Sequence, residues 1–166
     1  MELVTFRPDE AQQLIDWIDS PELNLLWGGP CYVYPLTQEQ ISEHCQKPEV
    51  FAFLCRHEDE NVGFIELFHL GNNAYRICRV FIAPDYRGRG MAQSMVTQLI
   101  AVAKQQFAAR ELSLGVFAHN HSALACYQAL GFSRYASEPF DSFVSDEPWL
   151  LYRMKLDVSE CQEVMQ

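Results

Sequence analysis

The chain has 166 residues, 49% of them apolar and 20% charged, which suits one domain with a substantial hydrophobic core and argues against a disordered chain. Twelve Lys and Arg stand against 22 Asp and Glu, a formal net charge of −10, so most of the surface repels nucleic acid and anionic membranes. No basic, apolar leader opens the sequence and no apolar run reaches membrane-spanning length, which predicts a soluble, cytoplasmic protein.

Leu3 to Arg7 reads as an opening strand, and Pro8, Asp9 and Glu10 start a helix with carboxylates in its first turn. Leu14, Trp17 and Ile18 share one face of it, and Ser20-Pro21 ends it or restarts a short turn. Leu26 to Pro35 reads as a loop rich in Gly and Pro that carries Trp27, Tyr32 and Tyr34. Thr37 and Gln40 resemble a capping box opening a short helix to about His44. Val50 to Arg56 and Val62 to Leu70 read as a hairpin around a polar turn, and Ala74 to Ala83 as the next strand. A Gly-rich turn then leads into a helix to about Ala109, whose apolar positions from Met95 to Phe107 keep a helical period.

Leu112 to Ala118 is an apolar strand, and Asn120 to Leu130 a helix stopped by Gly131. Phe132 to Tyr135 and Trp149 to Leu156 close the fold as strands. These elements predict one α+β domain over residues 1–157, mostly of hairpins, with one β-α-β unit spanning 74–118 and a polar C-terminal tail over 158–166. The cysteines at 31, 45, 55, 78, 126 and 161 show no C-x-x-C spacing and read as reduced thiols. The five histidines show no ligand spacing, so no metal is expected.

The most informative segment is Tyr86-Arg87-Gly88-Arg89-Gly90-Met91-Ala92-Gln93, where a strand hands over to a helix. The first N–H groups of a helix have no internal partners and sit at the positive end of its dipole. Gly88, Gly90 and the small Ala92 would let a phosphate approach them closely. Arg76, Arg79, Arg87 and Arg89 form a local basic patch in an acidic chain, which points to a specific polyanionic ligand. The same turn also reads as a plain strand-to-helix connection with solvated arginines. A dinucleotide turn fits less well, because the spacing departs from G-x-G-x-x-G.

Downstream, Asn120 and Tyr127 are seven residues apart, close to two helical turns, so both face the same way. Asn120 is a good helix cap, and Gly131-Phe132 follows the helix. Together the two segments resemble the signature of the GNAT N-acetyltransferase family. Arg87-x-x-Gly90-x-Ala92 resembles its pyrophosphate-binding pattern, and Asn120, Ala123, Tyr127, Gly131 and Phe132 resemble its following helix-strand segment. The similarity in motif runs from about Arg79 to Tyr135, and the element order agrees over nearly the whole chain.

The resemblance implies the acyl-CoA N-acyltransferase fold: a central, mostly antiparallel sheet with flanking helices and one splayed parallel strand pair. It implies acetyl-CoA as cosubstrate, with the backbone of Val80 and Ile82 holding the pantetheine arm. Backbone N–H groups of Gly88, Arg89, Gly90, Met91, Ala92 and Gln93, beside Arg87, would take the pyrophosphate. Asn120 would meet the amide region and Tyr127 the sulfur, where its phenol could protonate the leaving thiolate.

The family's usual basic glutamate aligns with Arg76, which cannot take a proton. Glu66 on the neighbouring strand is the best substitute and reads equally as a surface carboxylate of a half-exposed strand, with Glu138, Asp141, His119 or a water relay as alternatives. The expected acceptor is a primary amine on a small molecule or protein. Trp27, Tyr32 and Tyr34, together with Glu138, Asp141, Asp146 and Glu147, would suit a cationic small molecule. The same residues also read as core aromatics and solvated carboxylates. The sequence leaves open a homodimer, and a non-catalytic acyl-CoA-binding sensor as the alternative function.

Overall fold

Alternation of side chains along the central strands decides the layering. In the strand Glu60–Gly71, Ile65 and Leu67 enter one buried cluster while Phe64 enters another on the opposite face. Helices must therefore cover both faces, and they do. A computed structural model of the chain describes residues 1–143 and 145–159. Cys161 and residues 160–166 of the expected tail lie outside the described residues.

Seven strands form one sheet: β1 (Glu2–Thr5), β2 (Val50–His57), β3 (Glu60–Gly71), β4 (Ala74–Ile82), β5 (Glu111–Phe117), β6 (Ser133–Phe140) and β7 (Trp149–Asp157). Their spatial order is β1-β2-β3-β4-β5-β7-β6. Every neighbouring pair is antiparallel except β4 and β5. Helices α1 (Ala11–Trp17), α2 (Pro21–Gly28) and α3 (Gln38–Cys45) precede β2. The β4–β5 crossover contains α4 (Met91–Gln106), and α5 (His121–Ala129) follows β5. No helix among the described residues is long and apolar enough to cross a membrane.

On one face, Met95, Val96, Leu99 and Ala103 of α4 pack with Ile65, Leu67, Ile77, Leu112, Leu114 and Met154. These positions recur at helical spacing, which is why this stretch of α4 is buried. On the other face, Leu14, Ile18, Trp27, Tyr32 and Ile41 pack with Leu54, Phe64 and Phe81.

Four expectations change. Residues 26–28, read as loop, complete α2: Ser20 Oγ accepts from the Leu23 N–H at 3.1 Å and Pro21 holds the first helical position. The capping box at Thr37 is half present. Thr37 Oγ1 accepts from the Gln40 N–H, but the Gln40 side chain bonds Val33 and Pro35 in the preceding loop. β6 extends to Phe140, because its far half pairs with Leu151, Leu150 and Trp149 of β7. Val158 belongs to the core and not to a tail, since its side chain is buried and its N–H bonds the Arg110 carbonyl at 2.9 Å.

Candidate active site

β4 and β5 pair at only three positions, Ala74 with Glu111, Tyr75 with Leu112 and Arg76 with Ser113. Beyond Arg76 they part. A bulge drives β4 away: Phe81 faces Phe64 and Cys78 faces Glu66, so β4 spends one more residue than β3 over that interval. Arg79 takes up the extra length at φ +52, a backbone position that costs a non-glycine residue on the order of 1–3 kcal/mol. The Trp27 indole N–H holds the distorted backbone by donating to the Arg79 carbonyl at 2.9 Å.

The gap is a cleft of about 470 Å³. β4 contributes Ile77, Val80, Phe81 and Ile82, and β5 contributes Gly115, Val116 and Phe117. Asn120 lines it with Ala123, Cys126 and Tyr127 of α5, and α2 adds Leu23, Leu26 and Trp27. Arg87, Gly88, Gly90 and Ala92 line it at the start of α4.

The Gly-rich turn has the geometry of an anion cradle. Gly88 and Gly90 adopt φ +75 and +71, which only glycine takes without strain, and no side chain caps α4. Its first N–H groups therefore stay available to a ligand. Arg87 folds over the Phe81 ring and donates from Nε to the Ile82 carbonyl at 2.8 Å, while Arg89 lies over Tyr86. The Ile82 carbonyl, one of the backbone groups expected to hold the ligand arm, is thus occupied by Arg87.

Asn120 caps α5, its Oδ1 accepting from the Ala123 N–H at 3.4 Å. At the other end Gly131, at φ +97, lets the Phe132 N–H reach back to the Tyr127 carbonyl at 3.0 Å. The Phe132 ring then meets the Tyr127 ring edge-on at 6.0 Å. Burial, helped by Cys126 and Cys78, pushes the Tyr127 phenol above its ordinary range, so it keeps its proton at neutral pH.

Beneath the cleft lies an ionic cluster. Glu66 is fully buried, and its Oε2 accepts from Arg79 Nη2 at 2.6 Å and Nε at 2.7 Å and contacts His44 Nε2 at 2.9 Å. Burial opposes its ionisation, but the His44 hydrogen bond and the Arg79 charge win and hold the carboxylate below its usual range. The Glu66 charge and hydrogen bonds in turn keep Arg79 cationic against its own burial.

Most of the expected site residues meet in one place: Val80, Ile82, Arg87, Gly88, Gly90, Ala92, Asn120 and Tyr127 all line the cleft. Arg89, Met91 and Gln93 belong to the same turn without lining it. Glu66 lies behind Arg79, outside the lining, where three donors converge on one oxygen. Arg79 leaves the expected basic patch for the same reason, because its charge is spent on Glu66. The sequence reading missed His44, which shares the buried face of α3 with Ile41 three residues earlier.

Among the aromatics, Trp27 and Tyr32 are buried and stacked at 5.7 Å, and Tyr34 donates to the Asp19 carbonyl. Glu138 pairs with Arg153, while Asp141, Asp146 and Glu147 are exposed.

A family model described as the acetyltransferase (GNAT) family matches residues 13–132. The chain belongs to the GNAT acetyltransferase family. Among solved structures, it is similar to a spermidine N-acetyltransferase from Vibrio cholerae in complex with CoA and spermine. The TM-score is 0.80 at 15% identity, over 94% of each chain. A spermidine/spermine N-acetyltransferase from the same organism, in complex with manganese ions, gives a TM-score of 0.75 at 14% identity over 94% of this chain and 91% of that one. At these identities the likeness establishes the GNAT fold. The protein is an acetyl-CoA-dependent N-acetyltransferase, and the uncapped α4 turn and splayed strands fit the cosubstrate.

Proposed function

We propose that the protein acetylates a primary amine by direct transfer, with Tyr127 as the general acid. The observation that carries this reading is the single cleft that joins the α4 turn, Asn120 and Tyr127 between the parted strands. Acetyl-CoA supplies the activated acyl group when bound. Backbone N–H groups from Gly88 to Gln93 hold its pyrophosphate, and Val80 and Asn120 orient the pantetheine arm.

A backbone N–H near Val80 meets the negative charge that develops on the carbonyl oxygen. Tyr127 holds a proton at Oη for the departing sulfur, its raised affinity for that proton keeping the donor form populated. Glu66 does not touch the amine in this reading. It positions Arg79 and the bulge, and water in the open cleft carries the amine's proton away.

The acceptor lies on the α2 side, among Leu23, Leu26 and Trp27. Arg79 lines the cleft with its charge offset by Glu66, which leaves Arg87 as a lining cation, and no carboxylate lines the cleft among the described residues. That environment favours an amine borne on an apolar or aromatic group. A second reading, a polyamine, draws on the exposed Asp141, Asp146 and Glu147 between β6 and β7 and on the spermine-bound relative. Calorimetric titration with acetyl-CoA, beside an Arg87→Ala, Gly90→Glu variant, tests the cofactor site: binding lost in the variant supports it, and equal binding removes the turn from the site. Thiol release with monoamines against spermidine then separates the two acceptors.

A further inference from the structure

Between the α2–α3 loop, α3 and β3, three groups stand in line. Cys31 Sγ lies 3.4 Å from His44 Nδ1, and His44 Nε2 lies 2.9 Å from Glu66 Oε2. A thiol, an imidazole and a carboxylate in that order are the components of an activated nucleophile: the ring can take the thiol proton, and the carboxylate holds the resulting cation. Cys31 is exposed, whereas its two partners are buried.

Arg79 meets the same Glu66 carboxylate, so two basic side chains share one buried acid next to Cys31. Burial opposes protonation of His44, but the contacts with Cys31 and Glu66 outweigh it and carry the ring up to about 9. Two buried oxygens in the same group, Tyr32 Oη and Glu66 Oε1, have no hydrogen-bond partner. Burial first, and then the Glu66 charge, hold the Tyr32 phenol above its ordinary range, so it keeps its proton.

Nothing similar surrounds the other described cysteines. Burial pushes Cys45 up to about 12 and Cys55 and Cys78 up to about 11, and raises Cys126 as well. They remain protonated and weakly nucleophilic.

We propose that Cys31, paired with His44 and backed by Glu66, is a reactive thiol at which hydrogen peroxide modifies this protein. The Cys31 thiolate attacks one peroxide oxygen, forming the S–O bond as the O–O bond breaks. The departing hydroxide takes the proton from His44 and leaves as water. Sulfur is oxidised by two electrons to sulfenic acid, the peroxide is reduced by two, and His44 ends neutral. Cys31 does not line the acetyl-transfer cleft, which the cluster meets through Arg79.

Hydrogen peroxide followed by a sulfenate-trapping diketone, read by peptide mass spectrometry in a Cys161→Ser background, tests this. Cys31 should be labelled ahead of Cys45, Cys55, Cys78 and Cys126, and His44→Gln should slow its labelling by roughly tenfold while the protein still melts cooperatively. Equal labelling rates with and without His44, or prior labelling of another cysteine, would overturn the proposal. Should His44→Gln not fold, the ultraviolet thiolate absorbance at neutral pH decides: a loss on Cys31→Ser supports the pair, and an unchanged spectrum rejects it.

Discussion

Tyr127 and His44 illustrate how burial acts in opposite directions on two side chains of one domain. For Tyr127, burial keeps the proton on the phenol, which suits a donor to a leaving thiolate. Replacing Tyr127 with Phe preserves the packing on Phe132 and removes only the hydroxyl. Turnover should fall on the order of a hundredfold with the KM for acetyl-CoA nearly unchanged, and steady-state kinetics would expose an unaltered kcat as evidence against the acid role.

For His44, burial alone would expel the proton, but Cys31 and Glu66 retain it to about 9 against about 6.5 in the unfolded chain. The folded value is the higher one. The proton's contribution to stability is therefore complete below about 6.5 and is lost as pH rises through about 9. The facing groups are Cys31, Glu66, Tyr32 and, through Glu66, Arg79. Melting temperatures across that window should decline more steeply in the wild type than in His44→Gln; parallel declines would show that His44 is not the titrating group.

Among the elements, α5 depends most visibly on its ends. Asn120 starts it, and Gly131 closes it in a left-handed conformation that brings Phe132 against Tyr127. An alanine at Gly131 would place its Cβ 3.3 Å from a Leu156 methyl and adopt an unfavourable φ, costing about 1–2 kcal/mol. Calorimetry should register a drop of roughly 2–8 °C, and a melting point within a degree of wild type would mean the turn relaxes without cost. β4 is the other dependent element. Its bulge rests on the Trp27–Arg79 bond on one side and the Arg79–Glu66 pair on the other. Glu66→Gln should destabilise by about 3–5 kcal/mol, because Arg79 and His44 would stay buried without their counter-charge. A denaturation curve overlapping the wild type would contradict this account.

At the scale of the whole molecule, the sheet is two antiparallel halves joined through three residue pairs of β4 and β5, with α4 and α5 packed across one face. A ligand seated between the halves should stabilise both. Acetyl-CoA at a hundredfold excess over its dissociation constant should add about 2.7 kcal/mol, seen as a rise in melting temperature that the Arg87→Ala, Gly90→Glu variant lacks. No rise at that excess would contradict cosubstrate binding to the folded cleft.

Local chemistry alone determined much of this protein. Period-2 and period-3.6 patterns marked most strands and helices, and Arg87 to Gln93 with Asn120 and Tyr127 announced the cleft. Those features depend on neighbours in sequence: a glycine turn, a cap, two side chains seven residues apart on one helix. Only the tertiary structure decided that Glu66 lies beneath the cleft, that Arg79 is spent on it, and that Cys31 and His44 complete the same cluster. The two ends of that cluster come from segments 48 residues apart, the α2–α3 loop and the β4 bulge. Their charges meet only when the helices close over the sheet, and no spacing rule along the chain encodes that meeting.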